Sequence, residues 1–343
     1  MRILVGMSGG IDSTYAAMKL MGEGHEVEGA LLVMHEHTDV DSAREAADSI
    51  GVRLHVVDCR ESFEKVKKNF VDEYCRARTP NPCIICNPTV KFRALAEFAL
   101  KNGFDRIATG HYAGVVETYD KGEKRYTLTP GKDFKKDQTY MLYRLPQSIL
   151  SMLVLPLADD VKTDIRETVG QRGLSVADKK DSQEICFIPD GDYAAYIEES
   201  VGKFPEGDFI DTDGKYLGRH KGIIRYTVGQ RKGLGISLGG RAFVREINAL
   251  NNTVTLSTEA AVTSLVSVGD MVFTGMAKPE HTEQRRVSVK LRYQAPRVCA
   301  TAVFDAEGGA TLLLDEPARS VTPGQSAVLY DGDILLAGGF ITV

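Results

Sequence analysis

The chain lacks an apolar run of the ~18 residues that a membrane helix needs, and its first stretch, Met1 to Val5, turns at Gly6 after too few apolar residues for a signal peptide. A cytoplasmic protein without membrane contact is therefore expected. It also lacks an excess of positive charge: 42 Lys and Arg against 47 Asp and Glu give a formal net charge of −5. That balance excludes a protein that coats nucleic acid regardless of sequence, because such binding draws on phosphate neutralisation. Local basic clusters remain allowed. Six cysteines among 343 residues are too few for a disulfide framework, and a reducing compartment keeps most of them as thiols. No repeat of solenoid length is visible. With 43% hydrophobic and 26% charged residues, the composition is that of a globular chain long enough for two or three compact units.

The first unit alternates strands with helices. Residues 2–6 read as a buried strand and 13–21 as a helix ending at Gly22 and Gly24; a strand over 27–34, a helix over 41–50 and a strand over 53–57 follow. A helix over 91–101 and a strand over 106–109 continue the pattern, which implies a parallel sheet covered on both faces. After about Pro205 short alternating segments take over, at 242–247, 253–256, 287–293, 300–304, 311–314 and 327–330, separated by Gly, Asn and Asp turns. Asp211-Thr212-Asp213-Gly214 and Asn248 to Asn252 carry hairpin chemistry. The expected division is an α/β catalytic domain over 1–202, a small central β-rich domain over 203–262 and a C-terminal β-barrel over 263–343.

Ser8-Gly9-Gly10-Ile11-Asp12-Ser13 lies between the first strand and the first helix, where backbone N–H groups and the helix dipole favour an anion. Gly9 and Gly10 let the backbone approach phosphate oxygens, Ser8 and Ser13 offer hydroxyl donors, and Asp12 suits a magnesium ion bridging phosphates. The Lys of a Walker A loop and the spacing of a dinucleotide loop are both missing. A plain turn capped by Asp12 is the bland alternative. The complete string at this location resembles the pyrophosphate loop of the N-type ATP pyrophosphatases, which cleave ATP to AMP and pyrophosphate through a substrate adenylate.

Arg78-Thr79-Pro80-Asn81-Pro82-Cys83-Ile84-Ile85-Cys86-Asn87 is a proline-ordered loop with two thiols at C-x-x-C spacing. A thiol is a nucleophile only as thiolate, and a helix N-terminus would help to form one; a lone pair of this kind is equally compatible with a redox or a metal role. Asp181-Ser182-Gln183-Glu184-Ile185-Cys186-Phe187-Ile188-Pro189 holds a further cysteine, which out of context reads as a small buried hydrophobe. Together with Ala108-Thr109-Gly110-His111-Tyr112, Lys136-Asp137-Gln138, the segment from Tyr226 to Gly235 and Thr322-Pro323-Gly324-Gln325, these strings resemble, in order and over nearly the whole chain, the tRNA-specific 2-thiouridylases. Their fold is a PP-loop domain of the adenine nucleotide alpha hydrolase type followed by two β-rich units.

The resemblance implies ATP-dependent adenylation of the C2 carbonyl of the wobble uridine in tRNAs for lysine, glutamate and glutamine, followed by sulfur transfer. It implies that Cys86 is the nucleophile and Cys186 the persulfide carrier, charged by a cysteine desulfurase or a sulfur-relay protein. ATP would be held by Gly6, Met7, Ser8, Gly9, Gly10, Ile11, Asp12, Ser13, Leu32 and Gly110, and the target base by Asn81, Pro82 and Cys83. His111, Lys136, Asp137, Gln138, Arg292, Tyr293 and Gln325 would contact tRNA, helped by basic clusters at Lys132, Lys135 and Lys136 and at Arg285, Arg286, Lys290 and Arg292. Extrusion of the base from a structured anticodon arm costs a few kcal/mol.

Two departures accompany the likeness. Many family members carry a longer, tryptophan-containing insertion after the second strand; here Met34 to Val40 runs almost directly into the helix, and the chain has no tryptophan. Many also have aspartate at the position of Cys83. Cysteine there makes an iron–sulfur cluster held by Cys83, Cys86 and Cys186, with sulfide on an open iron, a second mechanistic expectation beside the persulfide relay. The rival functions are an adenylate-forming ligase or amide synthetase on the same fold, which needs no paired cysteines, and a non-catalytic RNA-binding protein with a relic ATP loop.

Overall fold

A computed structural model describes residues 1–179 and 185–342. Its N-terminal part runs β1 (Arg2–Gly6), α1 (Ile11–Gly22), β2 (Glu26–Val33), α2 (Val40–Ser49), β3 (Leu54–Asp58), α3 (Arg60–Cys75), α4 (Pro82–Cys86), a π-helical turn (Asn87–Lys91), α5 (Phe92–Lys101) and β4 (Arg106–Thr109). It continues through β5 (Ala113–Asp120), β6 (Glu123–Pro130), α6 (Thr139–Leu142), α7 (Gln147–Leu150), β7 (Leu153–Val154), α8 (Lys162–Gln171) and α9 (Tyr193–Val201). Five strands form a parallel sheet in the order β3-β2-β1-β4-β7. Successive β1 side chains enter different cores. Ile3 and Val5 pack with Ala16, Ala17 and Leu20 of α1, whereas Leu4 packs with Phe63 of α3 and Leu95 of α5. Burial on both faces is why this strand reads as one apolar run.

The elements expected over the first 58 residues are present within two residues at each end, α2 being capped by Asp39, which accepts from Ser42 N at 2.9 Å. Several elements were not among the expectations, among them α3, the hairpin β5–β6, β7, α8 and α9. Helix α3 buries Phe63, Val66, Phe70, Val71 and Tyr74 at helical spacing against β2 and α5. Hairpin β5–β6 turns at Lys121 and Gly122, both at positive φ, as a two-residue hairpin turn requires.

The central unit is a sheet in the order β10-β11-β8-β9, made of β8 (Gly207–Ile210), β9 (Tyr216–His220), β10 (Phe243–Asn248) and β11 (Thr253–Ser257). Its two turns follow the expected chemistry. Asp211 Oδ1 accepts from Asp213 N and Lys215 N, and Asn248 Oδ1 accepts from Leu250 N and Asn251 N.

The last unit comprises β12 (Val262–Phe273), β13 (Glu283–Lys290), β14 (Val298–Phe304), β15 (Ala310–Arg319), β16 (Ser326–Asp331) and β17 (Ile334–Ile341), which close into an antiparallel barrel in the order β12-β15-β14-β13-β16-β17. Alternate residues such as Val287, Val289, Ala300, Ala302, Leu312 and Leu314 fill its interior. The strand expected over 287–293 in fact ends at Lys290, because the chain turns there: Ala295 N bonds Arg292 O at 3.2 Å. Tyr293 is thereby moved from a strand to a turn.

The barrel shares a core with the first unit, since Val328, Tyr330 and Leu335 cluster with Leu128, Tyr140 and Tyr143. Polar ties reinforce the joint. Tyr140 OH donates to Ser326 O at 3.1 Å, and Arg125 donates to Phe273 O and Thr274 O at 2.7 and 3.1 Å. Among the described residues no helix is long and apolar enough to cross a membrane.

Candidate active site between the glycine loop and the cysteine loop

The loop after β1 is shaped by close backbone contacts. Gly9 has φ +75°, and a Cβ there would lie 2.7 Å from the backbone carbon of Ser42. At the end of β4, a Cβ on Gly110 would lie 2.6 Å from the backbone carbon of Asp12, so the strand end presses on the start of α1. Only glycine fits either position. Ser13 Oγ accepts from Ser8 N at 3.2 Å and donates to Gly10 O at 3.0 Å, which pins the loop to the helix. Gly10 caps α1 without a side-chain bond, leaving N–H groups of the first turn open to an anion.

Two lysines reach this loop. Lys162 Nζ bonds both oxygens of Asp12 at 2.6 Å, and Tyr112 OH donates to Asp12 Oδ1 at 2.6 Å. Lys179 Nζ donates to Gly9 O at 3.2 Å and also contacts Ser42 Oγ. A helix N-terminus flanked by two ammonium groups is strongly suited to phosphate.

A cavity of roughly 1730 Å³ opens from this loop and runs to the cysteine loop. Gly6 through Ser13, Leu32 and Gly110 line it, as do Asn81, Pro82 and Cys83, so the residues expected to hold nucleotide and base face one space. Asn81 caps α4: its Oδ1 accepts from Cys83 N at 3.1 Å, with Pro82 in the first helical turn. The C-x-x-C spacing then splits the two thiols. Cys83 is exposed, while Cys86, one turn on, is buried with its Sγ 3.7 Å from Met34 Sδ.

Cys186 reaches the same place through its neighbour. Phe187 is inserted among Phe63, Phe70 and Tyr196, with ring centroids at 5.5, 5.5 and 5.3 Å. This anchor holds Cys186 where it keeps solvent access and where its thiol and those of Cys83 and Cys86 lie within electrostatic range. The two segments thus meet. Asp181 to Glu184, the first part of the second cysteine motif, lie outside the described residues. Burial pushes the Cys86 thiol up to about 12, opposed by the Lys91 ammonium and reinforced by the other two cysteines. Although Cys186 is exposed at its surface, partial desolvation of the thiol and the nearby Cys83 push it up to about 11, opposed by Lys91. Burial and Lys91 hold His111 neutral by pulling its pKa down to about 3.

Three family models match the chain in series: the tRNA methyl transferase HUP domain over residues 1–190, the tRNA methyl transferase PRC-barrel domain over 194–258 and the Aminomethyltransferase beta-barrel domain over 264–341. A tRNA-specific 2-thiouridylase MnmA of Acetivibrio thermocellus is 45% identical over 99% of both chains. The protein of that name from Clostridioides difficile is 42% identical over 99% of this chain and 98% of its own, and that of Treponema denticola 39% identical over the same shares. The chain belongs to the tRNA-specific 2-thiouridylase family. Among solved structures, a 4-thiouridine synthetase in complex with RNA and bound ATP is 19% identical, with a TM-score of 0.40, over 58% of this chain and 50% of its own.

The remaining residues singled out by likeness to the 2-thiouridylases fall into two groups. His111, Lys136, Asp137, Gln138, Tyr293 and Gln325 line the cavity. Several of them also have structural partners: Gln138 Oε1 accepts from Tyr112 N at 2.9 Å, Asp137 accepts from Thr139 N at 2.9 Å, and Gln325 Nε2 donates to Thr79 O at 2.6 Å. Arg292 is not part of the lining. Its Nη2 donates to Val228 O at 3.1 Å and also contacts Ser320 O and Thr322 Oγ1, joining the central unit to the barrel. The basic cluster on β13 is largely neutralised, because Arg285 bonds Asp120 and Glu283 at 2.8 Å and Arg286 bonds Asp315 at 2.6 Å.

Sequence reasoning missed Lys91, Lys162, Lys179, Tyr112 and Asn87. Tyr112 and Asn87 close two of the strings that carry the resemblance without a role being given to them, and Lys91 follows the second thiol closely. Lys162 and Lys179 carry no local signal, since they meet the loop across 150 and 170 positions of chain.

Proposed function

We infer that this chain is a tRNA 2-thiouridylase, an enzyme that activates the C2 carbonyl of a wobble uridine with ATP and exchanges its oxygen for sulfur carried on cysteine. The observation that carries the reading is the cavity joining the glycine loop to the cysteine loop, where Cys83 and Ile185 line it while Cys86 and Cys186 lie just behind the lining. A carbonyl oxygen is a poor leaving group, and phosphoryl activation answers that difficulty. The uracil O2 attacks the α-phosphorus of ATP, pyrophosphate leaves, and sulfur then displaces AMP from C2. Lys162, Lys179 and the α1 N-terminus are positioned to hold the leaving pyrophosphate. Cys186 as persulfide carrier is consistent with its solvent access, which lets a desulfurase or relay protein charge it. Once its terminal sulfur has bonded to C2, attack by Cys86 on the Sγ of Cys186 releases the thiolated base and leaves a disulfide, which a thiol reductant resets.

Asp12 would hold a magnesium ion arriving with the nucleotide once Lys162, which bonds both its oxygens, swings to the phosphates. The iron–sulfur alternative fits less well. Among the described residues no three His, Cys, Asp or Glu side chains are grouped to hold a metal, and Cys86 Sγ is turned to Met34. The relay is therefore the route these residues favour. We assign adenylation and sulfur transfer to residues 1–202, and RNA contact to the cavity mouth, with the units over 203–262 and 263–343 extending that surface. The acceptors proposed are the tRNAs for lysine, glutamate and glutamine, in the cytoplasm.

The deciding experiment incubates the chain with ATP, magnesium, a cysteine desulfurase with cysteine as persulfide donor, a thiol reductant and tRNA, and measures 2-thiouridine by nucleoside mass spectrometry. No 2-thiouridine despite AMP release, with that release unaffected by separate Cys86→Ser and Cys186→Ser changes, would favour the ligase reading instead.

A further inference from the structure

The π-helical turn after Cys86 contains an oddity that neither the ATP loop nor the thiol relay uses. Asn87 is 2% exposed and lines the cavity beside Asn81, Cys83 and Met141. Its Nδ2 donates to Met141 O at 2.7 Å, and this bond fixes the amide, since a turned amide would set oxygen against a carbonyl oxygen. Its Oδ1 has no hydrogen-bond partner among the described residues and is covered in this structure, so a base reaches it only by pushing aside the adjoining lining. An orphaned acceptor is costly and rare in a folded interior, and π-turns occur often at functional sites.

We propose that Asn87 reads the imide edge of the target base, its Oδ1 accepting the N3–H of uracil. The inference rests on the thiouridylase reading and deepens it. N3 is bonded directly to C2, the carbon that sulfur attacks, and Asn87 directly follows Cys86 in the chain. Asn87 lines the same cavity as Asn81, Pro82 and Cys83, so a base seated against those residues meets Asn87 as well. Cytosine presents a lone pair at N3, and adenine presents one at N1; each would face Oδ1 with repulsion. The Met141 carbonyl prevents the amide from turning to suit them. A site built to bond a substrate N–H rejects analogues that lack it far more strongly than an apolar pocket does. Asn87 is on this account a specificity-determining residue, distinct from the thiols that carry sulfur.

The test compares the full-length wild-type chain with Asn87→Leu on anticodon stem-loop RNAs carrying uridine, cytidine or 3-deazauridine at the target position. The last replaces N3–H with C–H and keeps the C2 carbonyl. RNA-dependent AMP formation and the thiolated nucleoside are both measured. Asn87→Leu is expected to lose on the order of 10- to 100-fold in kcat/KM on uridine, to lose less than about threefold on 3-deazauridine, and to discriminate less between uridine and cytidine. Equal losses on uridine and 3-deazauridine, or unchanged selectivity, would overturn the proposal and leave Asn87 as a strut for Met141. If circular dichroism shows that Asn87→Leu does not fold, the wild-type chain decides alone: a preference for uridine over 3-deazauridine of tenfold or more supports the contact, and equal turnover overturns it. A wild-type chain that forms no AMP with the uridine RNA sinks the thiouridylase reading, and this inference with it.

Discussion

At Cys86 burial keeps the sulfur protonated at neutral pH, and the half-buried ammonium of Lys91 is the group that opposes it there and at the more open Cys186. Replacing Lys91 with Met removes that opposition while leaving the glycine loop untouched. Thiolation at pH 7.5 should fall by about tenfold or more, corresponding to ~1.4 kcal/mol, and its rising alkaline limb should move to higher pH. Single-turnover, RNA-dependent pyrophosphate release should persist, so a pH–rate profile of both products checks the claim. His111 gives a second pH signature. Its folded pKa of about 3 lies below the ordinary 6.5, so the unfolded chain takes up a proton that the folded chain refuses. Stability is thus complete above about pH 6.5 and is eroded as pH falls toward 3. The raised Cys86 thiol acts at the other end, eroding stability as pH rises from about 9 toward 12, where only the unfolded chain ionises. Thermal melts across pH for the wild type and for His111→Gln should show a shallower acid limb in the variant.

Among the elements, the short segment from Ile185 to Ile188 depends on one aromatic side chain held by α3 and α9. Phe187→Ala should destabilise the fold by about 3–5 kcal/mol if the whole cage responds, measured by denaturant titration. It should abolish thiolation at temperatures where single-turnover, RNA-dependent pyrophosphate release survives, because only Cys186 loses its seat. How much of this was legible follows from where each signal lives. The strand–loop–helix start, with Gly9 between Ser8 and Ser13, announces itself through residue types, and so do the C-x-x-C loop and the turn chemistry of Asp211 and Asn248. Helix α3 and hairpin β5–β6 carried local signals of equal quality, the apolar stripe from Phe63 to Tyr74 and the Lys121-Gly122 turn. Those signals were readable and were not used. The Lys162–Asp12 pair and the anchor of Phe187 were not readable, because each joins segments that only the tertiary fold makes neighbours. Tyr293 was misplaced because strand propensity does not foresee the turn that Arg292 and Ala295 close.

For the molecule as a whole, Arg292 is the joint between the central unit and the barrel, with acceptors on Val228, Ser320 and Thr322 around one guanidinium nitrogen. Arg292→Met should cost about 1.5–3 kcal/mol, the range for hydrogen bonds to a charged group, visible as a lower melting temperature. Its effect on thiolation should be a raised KM for tRNA with kcat little changed, since the cavity lining is untouched. A parallel loss of kcat would show that the joint also steers the chemistry.

The cysteine loop is tied to the barrel twice, by Thr79 N to Pro323 O at 3.0 Å and by Gln325 Nε2 to Thr79 O at 2.6 Å. The barrel therefore serves as a gauge block. On the proposed reading, an RNA arm held against that closed cylinder would present its bases at one set reach from the cysteine loop, and an arm lengthened or shortened by one nucleotide would offer the wrong base to the sulfur.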